Sequence, residues 1–251
     1  MKVVTLDIET TPHDVWAWGI WNQNIPIGAI KEPGHVMCFA AKWDDSKQIE
    51  FYSDHQEGGH ERVVKEAWRI LDEADAVVHW NGRKFDIPHL QGEFIRAGLT
   101  PPRPFRQIDL LLTARRVANF PSNKLDYWAQ VLLGDHKTHH EGLDLWLKCM
   151  SGDDAAWRKM ERYNRQDVRL TARLRKVLTP WLTSSPHASL YRNDTGEADV
   201  CGKCGSDKLV RRGYAYTDLG KYQQLRCSDC GAWSRGKRAV ATVTVRPEVQ
   251  R

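Results

Sequence analysis

Val3-Val4-Thr5-Leu6-Asp7-Ile8-Glu9-Thr10 decides how the rest of the chain reads. Its β-branched and apolar residues predict a strand, and alternate side chains of a strand share a face, so Asp7 and Glu9 stand side by side. Two carboxylates held together on a mostly buried strand raise each other's pKa unless a cation neutralises them. An edge strand with a solvated acidic face would need no cation. A metal site would need further carboxylates from elsewhere, and the chain supplies them.

Thr10-Thr11-Pro12 ends the strand. Trp16, Trp18 and Trp21 follow; such residues can form a platform for stacked bases, but packing a long loop onto the body is their expected role. Residues 36–43 and 49–52 predict two strands of a meander beside the first. Residues 61–74 have the 3.6-residue apolar period of a helix. Residues 76–80 predict a strand ending in the Asn81-Gly82 turn. Asp86 lies at the next strand-to-helix junction, before Pro88 and a helix running to Gly98; a helix N-cap is its plainest role. Further helices are predicted from Ile108 to Val117, with Asp109 as its cap, from Leu125 to Leu133, and from Asp154 to Leu178. His136, His139 and His140 lack a matching carboxylate or Cys cluster and read as a solvated loop. On the last helix Tyr163 and Asp167 are four apart and share a face.

Taken in order, LDIET (6–10), HWNGRKFDIPHL (79–90) and YNRQDV (163–168) resemble the three motifs of the DEDD exonuclease superfamily, proofreading-type nucleases with a ribonuclease H-like fold. Tyr163 stands four before Asp167, and Arg162 occupies the place of the alternative His, which resembles the Tyr subclass shared with family B polymerase proofreading domains. The likeness spans residues 1 to about 180 and extends to Asn123-Lys124-Leu125-Asp126-Tyr127. His89 departs from the bulky apolar residue usual there. The resemblance implies an α/β fold, a ribonuclease H-like mixed sheet flanked by helices. It implies two Mg²⁺ or Mn²⁺ ions, about 3.5–4 Å apart in such sites. Asp7, Glu9 and Asp167 would hold the ion that activates water. Asp7 would bridge to the second, which Asp86 would help to place mainly through water. Tyr163 would orient the attacking water, since a phenol of ordinary pKa near 10 is a poor base at neutral pH. The 3′ nucleotide of a single strand would lie near Thr10 and the Asn81-to-Phe85 turn, with Trp80 or Phe85 stacking on bases or else belonging to the core.

Of six cysteines, four form Cys201-Gly202-Lys203-Cys204 and Cys227-Ser228-Asp229-Cys230. This is the spacing of a zinc ribbon with four thiolates binding one Zn²⁺, with iron in a rubredoxin-like site as the alternative. Cys38 and Cys149 read as small buried hydrophobes. The net charge of +5 is uneven: residues 199–251 carry eleven Lys or Arg and five Asp or Glu, a net of +6. Arg211, Arg212, Tyr214, Tyr216, Lys221 and Arg226 interleave cation and aromatic between the knuckles, a mixture suited to phosphates and bases. A stability staple or a protein-docking knob are the other readings.

The expected organisation is an exonuclease domain (1–183), a linker (184–198) and a zinc ribbon (199–251). The whole layout resembles stand-alone exonucleases of some tailed bacteriophages and bacteria. Met1 leads straight into the first strand, with neither a leader pattern nor an apolar run near the ~18 residues of a membrane span, so the cytoplasm, the host's if phage-encoded, is expected. The expected function is metal-dependent 3′→5′ removal of nucleotides from single-stranded DNA, in replication or repair, with a DNA polymerase as candidate partner. The alternatives are RNA 3′-end trimming and a non-catalytic nucleic-acid-binding or polymerase-accessory protein.

Overall fold

The opening strand β1 (Val3–Thr10) is flanked by β4 (Val36–Trp43) on one side and β6 (Ala76–His79) on the other, in a computed structural model that describes residues 1–136, 142–191 and 199–246. β5 (Glu50–Ser53) extends the sheet beyond β4 and β7 (Arg106–Asp109) beyond β6, giving the order β5-β4-β1-β6-β7. β1, β4 and β5 pair antiparallel, whereas β6 and β7 run parallel to β1. This is the mixed sheet that the resemblance implies.

The sheet is covered on both faces, and the alternation in β1 decides what each face holds. Leu6 and Ile8 join Val63, Ala67, Ile70, Leu90 and Phe94 of α1 (Gly59–Glu73) and α2 (Asp86–Arg96) in one buried cluster. Met37, Cys38 and Ala40 of β4 pack with Leu145 and Cys149 of α5 (Leu143–Met150) and with Trp157, Met160 and Tyr163 of α6 (Asp154–Leu178). The buried residues of α6, from Ala156 through Met160, Tyr163 and Asp167 to Leu174, recur at three- and four-residue spacing, so one stripe faces the sheet. Cys38 and Cys149 are core residues, as expected. A register shift between Glu9 and Thr10 marks a bulge, a device that re-aims side chains at a strand's end.

α3 (Leu110–Val117) begins with Asp109 as its cap, as expected, but residues 106–109 are a strand and not part of that helix. α4 (Leu125–Leu133) closes on Gly134 in the left-handed conformation. Trp16, Trp18 and Trp21 contradict their expected packing: they are exposed, on a loop based on the short ribbon of β2 (Asp14–Val15) and β3 (Ile30–Glu32). Among the described residues, no segment covers enough of that loop to bury an indole. His139 and His140 lie outside the described residues, and so do residues 192–198 of the expected linker.

The chain divides into two compact units, Lys2–Arg175 and Lys176–Arg251. The second contains the antiparallel sheet β8 (Leu209–Tyr216), β9 (Gly220–Cys227) and β10 (Trp233–Thr242), with β9 central. Residues of the expected linker are tied into this unit. Lys203 Nζ donates to the Leu182 carbonyl at 2.6 Å and to Ser185 Oγ at 3.2 Å, and Ala188 N–H donates to the Gly202 carbonyl at 3.0 Å. No described helix is long and apolar enough to cross a membrane.

Candidate active site and cysteine metal centre

Asp7 and Glu9 leave β1 on the face opposite Leu6 and Ile8, where α6 brings Asp167 to them. One carboxylate oxygen from each of the three lies within 4.8 Å of the others. Three hard oxygen donors with no imidazole or thiolate among them fit Mg²⁺ or Mn²⁺ rather than a softer metal. Tyr163 is buried and hydrogen-bonds Asp167 through its phenol. Burial, then the charges of Asp167, Glu9 and Asp7, hold its pKa far above the ordinary phenol value. It therefore stays protonated, a donor and not a base.

The sequence reading missed Asn164. This side chain is fully buried, and its amide donates to Asp7 Oδ2 at 2.8 Å and to the Asp7 carbonyl at 3.2 Å, tying α6 to β1. Its signal was available: it stands three before Asp167, hence on the same helical face. Asn164→Ala is expected to lower metal affinity by about 10- to 100-fold, as loss of a group orienting a ligand does. Isothermal titration with Mn²⁺ reads this; an unchanged affinity would remove Asn164 from the site.

Asp86 is not in the group of three. It is the first residue of α2, with Phe85 at the N-cap position, so the capping role is not the one it plays. Its Oδ1 instead accepts from Ile8 N–H at 3.1 Å, which sets it against the backbone between Asp7 and Glu9. Burial pushes its pKa up to about 7, against the pull of the Ile8 N–H and with a further push from Asp109. Since the native state keeps a proton that the unfolded chain releases near pH 4, stability contributed by Asp86 falls as pH rises from about 4 to 7 and stays low above that. Asp86→Asn retains the acceptor for Ile8 without the charge. In magnesium- and manganese-free buffer it should raise stability by on the order of 3 kcal/mol at pH 8 and by little at pH 4. Urea melts at the two pH values check this, and an equal gain at both would contradict the burial argument.

Asp109 organises the neighbouring turn. Its Oδ1 accepts from Asn81 N–H at 3.1 Å and from Leu111 N–H at 3.0 Å, so one carboxylate caps α3 and fixes the turn after β6. Asn81 sits there at φ 73°, in the left-handed region. The buried His79 ring accepts from Gly82 N–H at 2.9 Å, and burial holds it neutral, so its approach to Asp109 is no ion pair. A Cβ on Gly82 would stand 2.4 Å from that ring, which reserves the position for glycine. Of the expected nucleotide contacts, Phe85 is exposed beside His89, and Thr10 is half-buried at the strand's end. Trp80 is half-buried and belongs to the packing: its indole donates to the Asn123 carbonyl at 3.1 Å and leans on Trp128.

In the second unit all four sulfurs of Cys201, Cys204, Cys227 and Cys230 lie within 4.8 Å of one another. Cys201–Cys230 and Cys204–Cys227 sulfurs are each 3.6 Å apart. A tetrahedron built on ~2.3 Å metal–sulfur bonds has edges of ~3.8 Å, so the cluster fits a four-coordinate metal. The two knuckles repeat each other: Gly205 N–H donates to Cys201 O and Gly231 N–H to Cys227 O, both glycines at φ 78°. Burial raises the Cys227 thiol, but the N–H groups of Cys230 and Asp229 outweigh it and leave the pKa at about 7. On the sheet, Arg211, Arg212, Tyr214, Tyr216 and Arg226 are exposed. Lys221 Nζ lies 4.0 Å from the Tyr214 ring centre, and the Arg235 guanidinium 4.6 Å from that of Tyr222.

No curated protein matches the chain. Among solved structures it is similar to the family B DNA polymerase of the hyperthermophilic archaeon Pyrobaculum calidifontis, with a TM-score of 0.54 and 19% identity. That similarity covers 71% of this chain but only 24% of the polymerase, and at this identity it speaks for the fold alone. The sequence profile of the RNase_H superfamily matches residues 28–179. With more than half of the chain inside that match and the five-stranded mixed sheet behind it, the chain belongs to the RNase_H superfamily.

Proposed function

We propose that the protein is a metal-dependent 3′→5′ exonuclease acting on single-stranded DNA, of the Tyr subclass of DEDD exonucleases. The observation that carries this reading is the convergence of Asp167 on Asp7 and Glu9, from which it is far in sequence, beside the phenol of Tyr163.

Divalent ions held by Asp7, Glu9 and Asp167, with Asp86 close behind Ile8, would supply an activated water and neutralise charge on the scissile phosphate. The protein's own groups do the rest. Asn164 fixes the Asp7 carboxylate, and the protonated Tyr163 offers a donor that orients the attacking water. Asp109 and His79 hold the Asn81 turn, which with Phe85 and Thr10 would receive the terminal nucleotide. One Zn²⁺ on the four thiolates would fold the ribbon, whose exposed cations and rings would grip the strand.

Labelled single-stranded DNA, RNA and blunt duplex, incubated with Mg²⁺ or Mn²⁺ and resolved on a gel, test the reading. A ladder shrinking from the 3′ end of the DNA is expected. Cleavage of RNA alone would make the enzyme an exoribonuclease, and binding without cleavage would overturn the nuclease reading.

A further inference from the structure

The excursion from Trp16 to Ala29 is used by neither the acidic site nor the ribbon. It is pinned at its base, where β2 pairs with β3 and Trp16 N–H donates to the Ala29 carbonyl at 2.8 Å. Beyond that base its large apolar side chains face solvent: Trp18 at 106% relative exposure, Ile27 at 88%, Ile20 at 84%, Trp21 at 80% and Trp16 at 69%. Such a concentration of exposed apolar surface on one loop marks an interaction surface.

We propose that Trp16, Trp18 and Trp21 form a stacking platform for bases of the single strand that the adjacent acidic site would cut. The proposal rests on the nuclease reading of that site for its substrate, and three features favour nucleic acid as the occupant. The first is continuity with the catalytic strand. Trp16 follows Glu9 by seven positions, which at about 3.5 Å per extended residue keeps the first indole within ~25 Å of the carboxylates, the reach of a short single strand.

The second is charge: residues 15–30 contain no Asp or Glu, so nothing on the excursion repels phosphate. The third is chemistry. Indole faces accept any base, and the amides of Asn22 and Asn24 follow directly after Trp21, suited to base edges. Lys31, which also pairs with Asp14, lies 3.7 Å above the Trp16 ring, bringing a cation to the face where a backbone phosphate would pass.

The test uses the full chain in buffer free of Mg²⁺ and Mn²⁺, which prevents turnover without stripping the cysteine site, and anisotropy of a labelled oligothymidylate. Measurement at high salt suppresses the electrostatic contribution of the ribbon while stacking persists. Trp18→Ala should weaken binding by about tenfold, the scale of one lost base stack, and the triple Trp16→Ala, Trp18→Ala, Trp21→Ala variant by more. Trp18→Phe, which keeps an aromatic face, should recover most of the affinity. Circular dichroism establishes that each variant is folded. Unchanged affinity in the triple variant overturns the proposal. So does a wild-type dimer that the triple variant breaks without loss of oligonucleotide affinity, since the loop would then join two copies. If the wild type cuts no nucleic acid with Mg²⁺ or Mn²⁺ yet the loop variants lose binding, the platform stands and the nuclease reading falls.

Discussion

Asp7→Ala should reduce 3′-end hydrolysis by about a thousandfold or more, whereas Tyr163→Phe should cost only about 10- to 100-fold. The difference follows from what each side chain does. Asp7 is grouped with Glu9 and Asp167 and anchored by the Asn164 amide, so on the proposed reading its loss would remove a metal ligand held in place from α6. Tyr163 is held protonated by burial and by three neighbouring carboxylates, so phenylalanine removes a hydrogen bond and leaves the metal set intact. Loss of positioning alone is worth on the order of 100-fold. Single-turnover rates with saturating Mn²⁺ separate the two variants. If Tyr163→Phe proved as inactive as Asp7→Ala, orientation of water would be too small a role for it.

Cys227→Ser should unfold the second unit while the first keeps its structure. The cluster at the ribbon's centre consists of Cys201, Cys227 and Ala232, flanked by Leu209 and Cys230, far too little apolar area to stabilise a fold. A structural zinc contributes about 10–16 kcal/mol of apparent binding energy in small modules, so losing such a metal from the four thiolates would exceed anything that core could replace. Amide NMR spectra should show the signals of residues 201–235 collapse in the variant, or on adding a strong chelator to the wild type, while those of the five-stranded sheet persist. A ribbon that stays dispersed without metal would show that its strands suffice.

The legible parts of this fold share one property: their pattern is complete within a few residues. Asp7 and Glu9 could be placed on one face because β1 alternates, and the cysteine tetrahedron because each knuckle closes within four residues. β7 was hidden because its four residues run directly into α3, leaving no turn signal between them. α5 is an eight-residue, nearly continuous apolar run whose period is too short to read. Asp86 was legible as a strand-to-helix residue, but its bond to Ile8 N–H crosses 78 residues, and no local rule predicts such a partner. The tryptophan loop failed for a different reason. Composition announces that an indole seeks a surface, but not whether that surface belongs to the same molecule.

The Asn164 amide joins positions 157 residues apart. During synthesis the ribosome releases β1 first and α6 only after every other helix and strand of the first unit, so a growing chain carries Asp7 and Glu9 long before their third companion exists. Any truncated product ending before Asp167 would lack the third carboxylate of the group, so on the proposed reading the onset of activity would be timed by the arrival of a single late helix.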